Sequence, residues 1–287
     1  MHYTKVKGLL STSNGMNIYR GCTHGCIYCD SRSKCYHIDH EFTDMEVKEN
    51  APELLEEALK KKRNKCMIGT GSMSDPYAPI EKNIGYTRKC LEIIDKYHFG
   101  VTLQTKSSLV LKDLDVLKRI NSHSKVIIQM TLTTYDEDLC KILEPNVSTT
   151  KERFETLKKL NEEGIETVVW ISPILPFIND TEENIRGLLD YCIKAKVYGI
   201  IYFGAGVTLR EGDREYFYKK LDEHFPSLKE KYIRKYGNSY EVLSDNDSFL
   251  SKIVKEEGIK AGIVINNDQI FSHLRQYPKK DSQLTLF

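Results

Sequence analysis

Residues 20–29 read Arg20-Gly21-Cys22-Thr23-His24-Gly25-Cys26-Ile27-Tyr28-Cys29, a stretch hereafter called the cysteine loop. Three residues and then two residues separate its successive cysteines. Thiolates bind iron, and a [4Fe–4S] cluster normally takes four of them. A group of three therefore leaves one iron open to a small molecule. The spacing predicts that Cys22, Cys26 and Cys29 hold a [4Fe–4S] cluster at which a bound molecule is reduced.

The same three cysteines could instead hold a structural zinc ion, with His24, Cys35 or His37 as the fourth ligand. Structural zinc sites usually combine two pairs of ligands. This chain has a single group of closely spaced cysteines, and no second pair follows it. The spacing therefore favours the cluster, and the alternative is a zinc-stabilised adaptor protein without catalytic activity.

The composition describes an ordinary globular chain of 287 residues, 40% hydrophobic and 29% charged, with a net charge of +1. This length suffices for one large α/β domain, with or without a C-terminal extension. Because the net charge is near zero, any contact with nucleic acid would need a local patch. The chain shows no signal peptide and no apolar run of membrane-spanning length. We therefore expect a cytoplasmic protein whose other five cysteines are reduced thiols.

Short β-branched or apolar runs alternate with longer amphipathic stretches between residues 14 and 205. Such alternation predicts repeated βα units and a parallel sheet. Six units are too few for a closed eight-stranded barrel. The two candidate architectures are a partial (β/α)6 barrel of the TIM type and a doubly wound open sheet. The predicted strands cover residues 16–19, 66–69, 101–105, 126–131, 167–171 and 198–203, and the predicted helices cover 53–62, 87–96, 111–120, 152–163 and 182–196.

The alternation ends after Gly206, so we predict an α/β domain over residues 1–205 and a mainly helical C-terminal extension over residues 206–287. The extension is rich in tyrosine, and we expect it to pack beside or over the mouth of the barrel. A polar turn region at residues 237–247 interrupts it. Its predicted helices cover residues 214–224, 227–236 and 249–257.

Polar side chains follow the second and third predicted strands. Glycines and small hydroxyl-bearing residues lead to Ser74 and Asp75, and such residues let a backbone approach a ligand and accept a charged amine. Lys106 follows the third strand, where its ammonium group can hold a carboxylate. Ligands bind at the C-terminal ends of the strands in both candidate architectures. Each feature alone also fits an ordinary loop, but together they predict a binding site.

The fourth and fifth predicted strands add three further candidates. Gln129 and Thr131 share one face by the two-residue period of a strand, and both could reach the hydroxyl groups of a ribose. The fifth strand leads to Ile174 between two prolines, an apolar edge suited to packing on adenine. The same residues are equally suited to local hydrogen bonding and to the core.

The cysteine loop, with the aromatic Tyr28 one place before its third cysteine, resembles the signature of the radical S-adenosylmethionine (SAM) superfamily. Over residues 14–205 the chain looks like the spore photoproduct lyase-like branch of that superfamily, and the cysteine loop is the most specific part of the match. The other matching segments are Asn17-Ile18-Tyr19, Ser74-Asp75-Pro76-Tyr77, Pro79-Ile80-Glu81, Thr105-Lys106-Ser107 and Leu143-Glu144-Pro145 with Arg153.

The resemblance implies a partial (β/α)6 barrel and an enzyme that uses a [4Fe–4S] cluster and SAM. The open iron would chelate the amino and carboxylate groups of SAM, and one electron would cleave it to methionine and a 5′-deoxyadenosyl radical. That radical would abstract hydrogen from the substrate. By the same resemblance Ser74, Asp75 and Lys106 contact SAM, Tyr28 lies near its adenine, and a flavodoxin or ferredoxin supplies the electron.

The substrate stays open. Spore photoproduct lyase itself repairs a thymine dimer with a cysteine just upstream of its Ser-Asp pair, whereas residues 67–75 contain no cysteine here. This departure argues against the same repair reaction. We expect a nucleic-acid base, in DNA repair or modification, with a peptide or a small metabolite as alternatives. Whether the enzyme is a lyase or a transferase is not fixed.

The chain ends with a short apolar segment that resembles the pentapeptide by which bacterial repair and replication proteins bind the sliding clamp. A glutamine would fix its orientation while two leucines and a phenylalanine fill an apolar groove. The alternative is that the segment folds back onto its own barrel. The residues concerned are Gln283, Leu284, Leu286 and Phe287.

Overall fold

The computed structural model describes residues 1–278, and its centre is a six-stranded parallel sheet. The strands along the chain are β1 (His2–Thr4), β2 (Gly15–Met16), β3 (Tyr19–Arg20), β4 (Glu46–Lys48), β5 (Met67–Thr70), β6 (Gly100–Thr105), β7 (Val126–Thr131), β8 (Glu166–Trp170), β9 (Gly199–Ile201), β10 (Gly206–Thr208) and β11 (Glu241–Leu243).

The helices flank this sheet and then continue into the C-terminal part of the chain. They are α1 (Ala51–Lys61), α2 (Glu81–Ile84), α3 (Tyr86–Lys96), α4 (Leu114–His123), α5 (Glu137–Leu143), α6 (Thr150–Glu162), α7 (Glu182–Lys194), α8 (Asp213–His224), α9 (Leu228–Tyr236), α10 (Asp247–Lys260) and α11 (Asn267–Arg275).

The order of strands in the large sheet is β2-β5-β6-β7-β8-β9, and every neighbouring pair is parallel. A doubly wound sheet reverses its strand order at a switch point. No reversal occurs in this sheet, so the chain winds in one direction as in a TIM barrel. The order confirms the partial (β/α)6 barrel and excludes the doubly wound alternative. All six predicted strands are present, with boundaries within three residues.

Alternate residues of each strand point to opposite sides of the sheet. On one side, buried residues such as Leu103, Ile128 and Met130 pack with the apolar faces of α1, α3, α4, α6 and α7. The helices begin where the sequence supplies caps: Thr149 and Glu152 form a reciprocal capping box at the start of α6. The helix predicted over 111–120 begins later, because residues Ser108–Asp113 form a 3-10 turn that leads into α4.

The C-terminal part contains more than the predicted helices. Strands β10 and β11 form a two-stranded antiparallel sheet, hereafter the β10–β11 sheet, and α8 and α9 lie between the two strands in the chain. Strand β11 lies inside the region predicted as a polar turn. Helix α11, which the sequence analysis missed, packs against the opposite side of the large sheet, where Ile270 and Leu274 contact Ile127 and Val168. The domain boundary at residue 205 stays a prediction.

A second small sheet, in the order β1-β4-β3, stands beside the start of the cysteine loop. The predicted clamp-binding segment at residues 283–287 lies outside the described residues, and it stays a prediction. Within residues 1–278, none of the helices has both the length and the apolar character needed to cross a membrane.

Candidate active site

The backbone of the cysteine loop is held from two sides. Gly21 has a φ of 78°, and a Cβ atom there would lie 2.5 Å from the carbonyl oxygen of Phe42, so only glycine fits. The N–H of Cys22 donates to that same carbonyl at 2.9 Å. On the other side, the N–H of Ile27 donates to the carbonyl of Leu143 at 3.0 Å. These contacts fix the direction in which the loop presents its cysteines.

Cys22 and Cys26 are buried, Cys29 is half-buried, and all three line one cavity. Their sulfur atoms do not form a group in which all members lie within 4.8 Å of one another. Sulfur ligands of one tetrahedral zinc ion lie about 3.8 Å apart, as follows from a zinc–sulfur bond of about 2.3 Å. A [4Fe–4S] cluster binds its cysteines at separate iron corners and so spaces them more widely. The wider spacing of the three sulfur atoms agrees with thiolates at separate iron corners.

The surroundings of Cys22 and Cys26 favour the protonated thiol in the metal-free chain. Burial, assisted by the charge of Asp75, raises the pKa of Cys22 to about 12. Burial also raises the pKa of Cys26, although the ammonium group of Lys106 opposes this effect. Because thiolates are the ligands of iron, cluster assembly at this loop must release the protons.

A buried ion pair lies against the cysteine loop. The guanidinium group of Arg153 donates to the carboxylate of Glu144 and, at 2.7 Å, to the carbonyl of Thr131. The hydroxyl group of Tyr28 donates to the other oxygen of Glu144. Burial alone would raise the pKa of Glu144, but Arg153 and Lys106 hold it below its usual range. The ion pair therefore joins Tyr28 to the end of β7.

Asp75 ties the loop after β5 to the end of β6. One of its carboxylate oxygens accepts hydrogen bonds from the Thr105 hydroxyl at 2.7 Å and the Tyr77 N–H at 2.8 Å. The other accepts from the N–H of Lys106 at 2.7 Å and lies 3.5 Å from Nδ1 of His24. Asp75 therefore positions its neighbours, and Ser74 beside it has a buried side chain at the cavity wall.

Lys106 is the unpaired cation of the site. Within residues 1–278 its Nζ atom has neither a hydrogen-bond acceptor nor a carboxylate in ion-pair range, and it lies 5.9 Å from the ring centroid of Tyr28. Burial opposes its charge, but the carboxylates of Glu144 and Asp75, and the thiols of Cys26 and Cys29 wherever they ionise, raise the pKa of Lys106. The ammonium group is therefore charged and available to an anion in the cavity.

Two cavities meet at the cysteine loop. The inner cavity, about 100 Å³, lies at the C-terminal ends of β5, β6 and β7. The outer cavity, about 570 Å³, lies between the cysteine loop and the β10–β11 sheet. Residues that line both cavities are Cys26, Cys29, Ser31, Ser72 and Lys106.

The outer cavity is built largely from residues that the sequence analysis missed. Phe203 stands at its rim with 61% of its surface exposed. The carboxylate of Glu241, on β11, has no hydrogen-bond partner in the described part of the chain, whereas that of Asp247 accepts from the N–H of Ala205 at 2.6 Å. No sequence spacing links residues 203–247 to the cysteine loop. The pairing of β10 with β11 places Glu241 there, and the N–H of Lys34 holds the same region by donating to the carbonyl of Glu211 at 2.9 Å.

The structure brings most of the predicted binding residues together. Ser74, Asp75, Lys106 and Thr131 line the inner cavity, and Tyr28 lines the outer one.

Gln129 shares the face of Thr131 but lies one layer deeper. Its amide nitrogen donates to the Thr102 hydroxyl at 2.9 Å, and its carbonyl accepts from the Trp170 indole at 2.9 Å, so it lines neither cavity.

The prediction for Ile174 also needs correction. Its side chain is fully buried in the main core, and it lines neither cavity. The preceding Ser172 and Pro173 line the outer cavity instead. The apolar edge predicted after the fifth strand is therefore present, but it is displaced along the chain because Ile174 points into the core.

Comparison with known proteins identifies the family of this chain. A sequence-family model of the radical SAM superfamily matches residues 16–192, and the chain belongs to that superfamily. An uncharacterized protein of Methanocaldococcus jannaschii is 33% identical over 236 residues, which is 82% of this chain and 80% of that protein. A radical SAM Nalpha-GlyT isomerase of Pseudomonas phage M6 is 25% identical over 175 residues, or 59% of this chain and 34% of the phage protein.

Solved structures show the same fold. Spore photoproduct lyase complexed with dinucleoside spore photoproduct superposes with a TM-score of 0.63 at 14% identity, covering 86% of this chain and 74% of the lyase. A variant of that lyase with bound SAM superposes with a TM-score of 0.61. The likeness agrees with the predicted branch. The protein is thus a radical SAM enzyme, whose cofactors are a [4Fe–4S] cluster and SAM and which needs a reductant.

Proposed function

We propose that Cys22, Cys26 and Cys29 hold the cluster and that SAM binds across the inner cavity. When bound, the cluster supplies the electron that cleaves SAM and generates the 5′-deoxyadenosyl radical. The observation that carries this proposal is the unpaired ammonium group of Lys106 beside the cysteines, because it matches the carboxylate of SAM. A flavodoxin or ferredoxin would be the electron donor.

The residues around the inner cavity would orient SAM. Asp75 holds the backbone of Lys106 in place by accepting its N–H. The negative charge of its carboxylate at the cavity wall would attract the amino group of SAM. The hydroxyl groups of Ser74 and Thr131 are among the polar groups of this wall that could donate to SAM. Tyr28, anchored by Glu144, presents its ring at the outer cavity, where an adenine can pack on it.

We further propose that the substrate is a nucleic-acid base presented singly to the outer cavity. Pockets of 300–1,000 Å³ typically hold one drug-sized ligand, so the 570 Å³ here leaves room for only a small reacting group beside SAM. An extruded base is such a group. The exposed ring of Phe203 at the rim offers a stacking surface. Support also comes from the fold neighbour that binds a dinucleoside spore photoproduct.

The charges of the outer cavity limit how a nucleic acid could bind. Its charged side chains are one ammonium group, that of Lys106, and the carboxylates of Asp30, Glu241 and Asp247. A phosphate backbone would be repelled there, whereas a neutral base with N–H donors would meet acceptors. The backbone would therefore stay outside the cavity. A peptide or metabolite carrying an amine is the second candidate, because Glu241 is an unpaired acceptor for a cation.

The test uses the full chain reconstituted anaerobically with iron and sulfide, then supplied with SAM and dithionite. We expect 5′-deoxyadenosine to form, and we expect single-stranded oligonucleotides with deuterated bases to accelerate its formation and to transfer deuterium into it. Transfer from a deuterated peptide pool or metabolite extract, and none from oligonucleotides, would contradict the nucleic-acid proposal. Absence of 5′-deoxyadenosine despite a loaded cluster would contradict the assignment of the SAM site.

A further inference from the structure

A cluster of potential metal ligands lies behind the cysteine loop and outside both cavities. Strand β1 pairs in parallel with β4 so that His2 stands opposite Glu46, and Asp44 lies two residues before Glu46 in the bend that leads into β4. His40 reaches the same place from the preceding loop. One ligand atom from each of His2, His40 and Asp44 lies within 4.8 Å of the others.

The orientation of His40 is that of a metal ligand. Its Nδ1 lies 3.0 Å from the carbonyl oxygen of Glu41, to which it donates, so Nε2 is the ring nitrogen left to bind a metal. Nε2 is buried and has no hydrogen-bond partner in the described part of the chain. Metal-binding histidines usually donate their second ring nitrogen to a carbonyl or carboxylate in this way. An orphaned acceptor is costly when buried, and a cation would satisfy it.

The other members of the cluster supply the remaining ligands. Nδ1 of His2 lies 2.9 Å from one oxygen of Asp44, whose other oxygen faces the amino group of Met1. Glu46 is almost fully buried. One of its oxygens accepts from the Thr4 hydroxyl at 3.0 Å, and the other lies 3.8 Å from Nε2 of His40, too far for a hydrogen bond. That second oxygen is free to bind a cation.

We propose that His2, His40 and Asp44 bind a divalent cation of the zinc type, with Glu46 as the fourth ligand. Two imidazole nitrogens and two carboxylate oxygens form a donor set that suits Zn²⁺. The ligand atoms of His2, His40 and Asp44 lie within 4.8 Å of one another, whereas Glu46 lies outside that group with one oxygen 3.8 Å from Nε2 of His40, so it would complete the set by a small movement. The metal would replace the hydrogen bond between His2 and Asp44 and would pair Nε2 of His40. The side chains of His2 and Asp44 are 38% and 42% exposed, which leaves a path for the ion to enter.

The position of the site gives it a structural role. It would fasten β1 to the segment 40–46, whose Phe42 carbonyl accepts the N–H of Cys22 and stands against Gly21. Bound metal would therefore stabilise the outer support of the cysteine loop without taking part in the reaction. This proposal is independent of the substrate and of the SAM contacts.

The test measures zinc in the cluster-loaded full chain, prepared with no residues ahead of Met1. After incubation with zinc chloride and removal of excess metal, we expect one zinc per chain by mass spectrometry of the metals. His40→Asn and Asp44→Asn should each lose that zinc while retaining their iron. His37→Asn is the matched control on the same loop. His37 has a positive φ, which asparagine tolerates, and it lies outside the cluster, so this variant should keep the zinc.

A second measurement separates this site from zinc held by the cysteines. Zinc should raise the Tm of the unaltered chain and of His37→Asn, and it should leave the Tm of His40→Asn unchanged. Cobalt(II) should give visible absorption of a four-coordinate nitrogen and oxygen site only in the first two proteins. Equal zinc content in all the variants, or no bound zinc in the unaltered chain, would overturn the proposal.

Discussion

The inner and outer cavities share the cysteine loop but are built in different ways. Apart from the cysteine loop and Ser31, the inner cavity is lined by the ends of three adjacent parallel strands and the loops that follow them, so those residues are placed by their own strands. The wall of the outer cavity opposite the cysteine loop is formed by the β10–β11 sheet, whose two strands are more than thirty residues apart in the chain. The first arrangement serves a fixed cofactor. The second allows the substrate side to change without disturbing the cofactor side.

The largest effect is expected where the two cavities meet. Replacing any one of Cys22, Cys26 or Cys29 by alanine should abolish both cluster loading and SAM cleavage, because the open-iron cluster needs all three thiolates. Iron and sulfide analysis, with 5′-deoxyadenosine formation, would check this. Cys66→Ala is the control, since Cys66 lines neither cavity. Full activity in any one of these three cysteine-to-alanine variants would contradict the assignment of the cluster ligands on which the comparison of the two cavities depends.

The support of the inner cavity should show the next largest effect, on stability. Arg153→Met leaves the buried carboxylate of Glu144 without its cation, and such a loss typically costs about 3–5 kcal/mol. The free energy of unfolding of the metal-free protein, measured in denaturant, would show it. Arg186→Met, which breaks an exposed ion pair with Glu182, is the control and should change the free energy of unfolding far less, because water screens exposed ion pairs.

The same pair gives a pH dependence of defined sign. The pKa of Glu144 is lowered in the folded chain, so its contribution is present at neutral pH and is lost as the pH falls through its folded pKa. In Arg153→Met the unpaired carboxyl group would instead become protonated more easily. The difference in the free energy of unfolding between the unaltered chain and Arg153→Met should therefore decrease as the pH falls, and it should be smallest below about 4.3, the usual pKa of glutamate. A gap that widens in acid would contradict this assignment.

Lys106→Met should weaken SAM binding while leaving the cluster in place. Hydrogen bonds to charged groups contribute about 1.5–3 kcal/mol, which corresponds to a loss of roughly 10- to 150-fold in the affinity for SAM. Equilibrium binding of SAM to the reconstituted variant would measure it, with iron content as the check on the cluster. Lys141→Met, at an exposed lysine on α5, is the matched control. Unchanged SAM affinity in Lys106→Met would show that Lys106 does not bind the carboxylate of SAM.

The difference between the cavities explains what the sequence could reveal. The cysteine loop, Ser74, Asp75 and Lys106 follow from local spacing and from strand ends, and the six predicted strands set their order. Gln129 was expected at the ligand because strand periodicity gives its face but not its depth. Ile174 was expected there because an apolar residue at a strand end fits a ligand and the core equally well. Glu241 carries no local signal, since only the long-range pairing of β11 with β10 places it, whereas Phe203 ends the sixth predicted strand and could have been proposed from that position.

The smallest effect should fall on the outer cavity alone. Phe203→Ala removes the exposed ring at the rim, and loss of one base-stacking contact typically costs about 1–3 kcal/mol. We therefore expect the KM for an oligonucleotide substrate to rise about 5- to 150-fold. Formation of 5′-deoxyadenosine without substrate should stay unchanged, because Phe203 does not line the inner cavity. Phe249→Ala, at a ring that is 51% exposed and lines neither cavity, is the matched control. Suppose that Phe203→Ala lowers the rate of SAM cleavage without substrate by the same factor as it raises the KM for the oligonucleotide. The two cavities would then not act separately, and the rim at Phe203 would belong to the cofactor site.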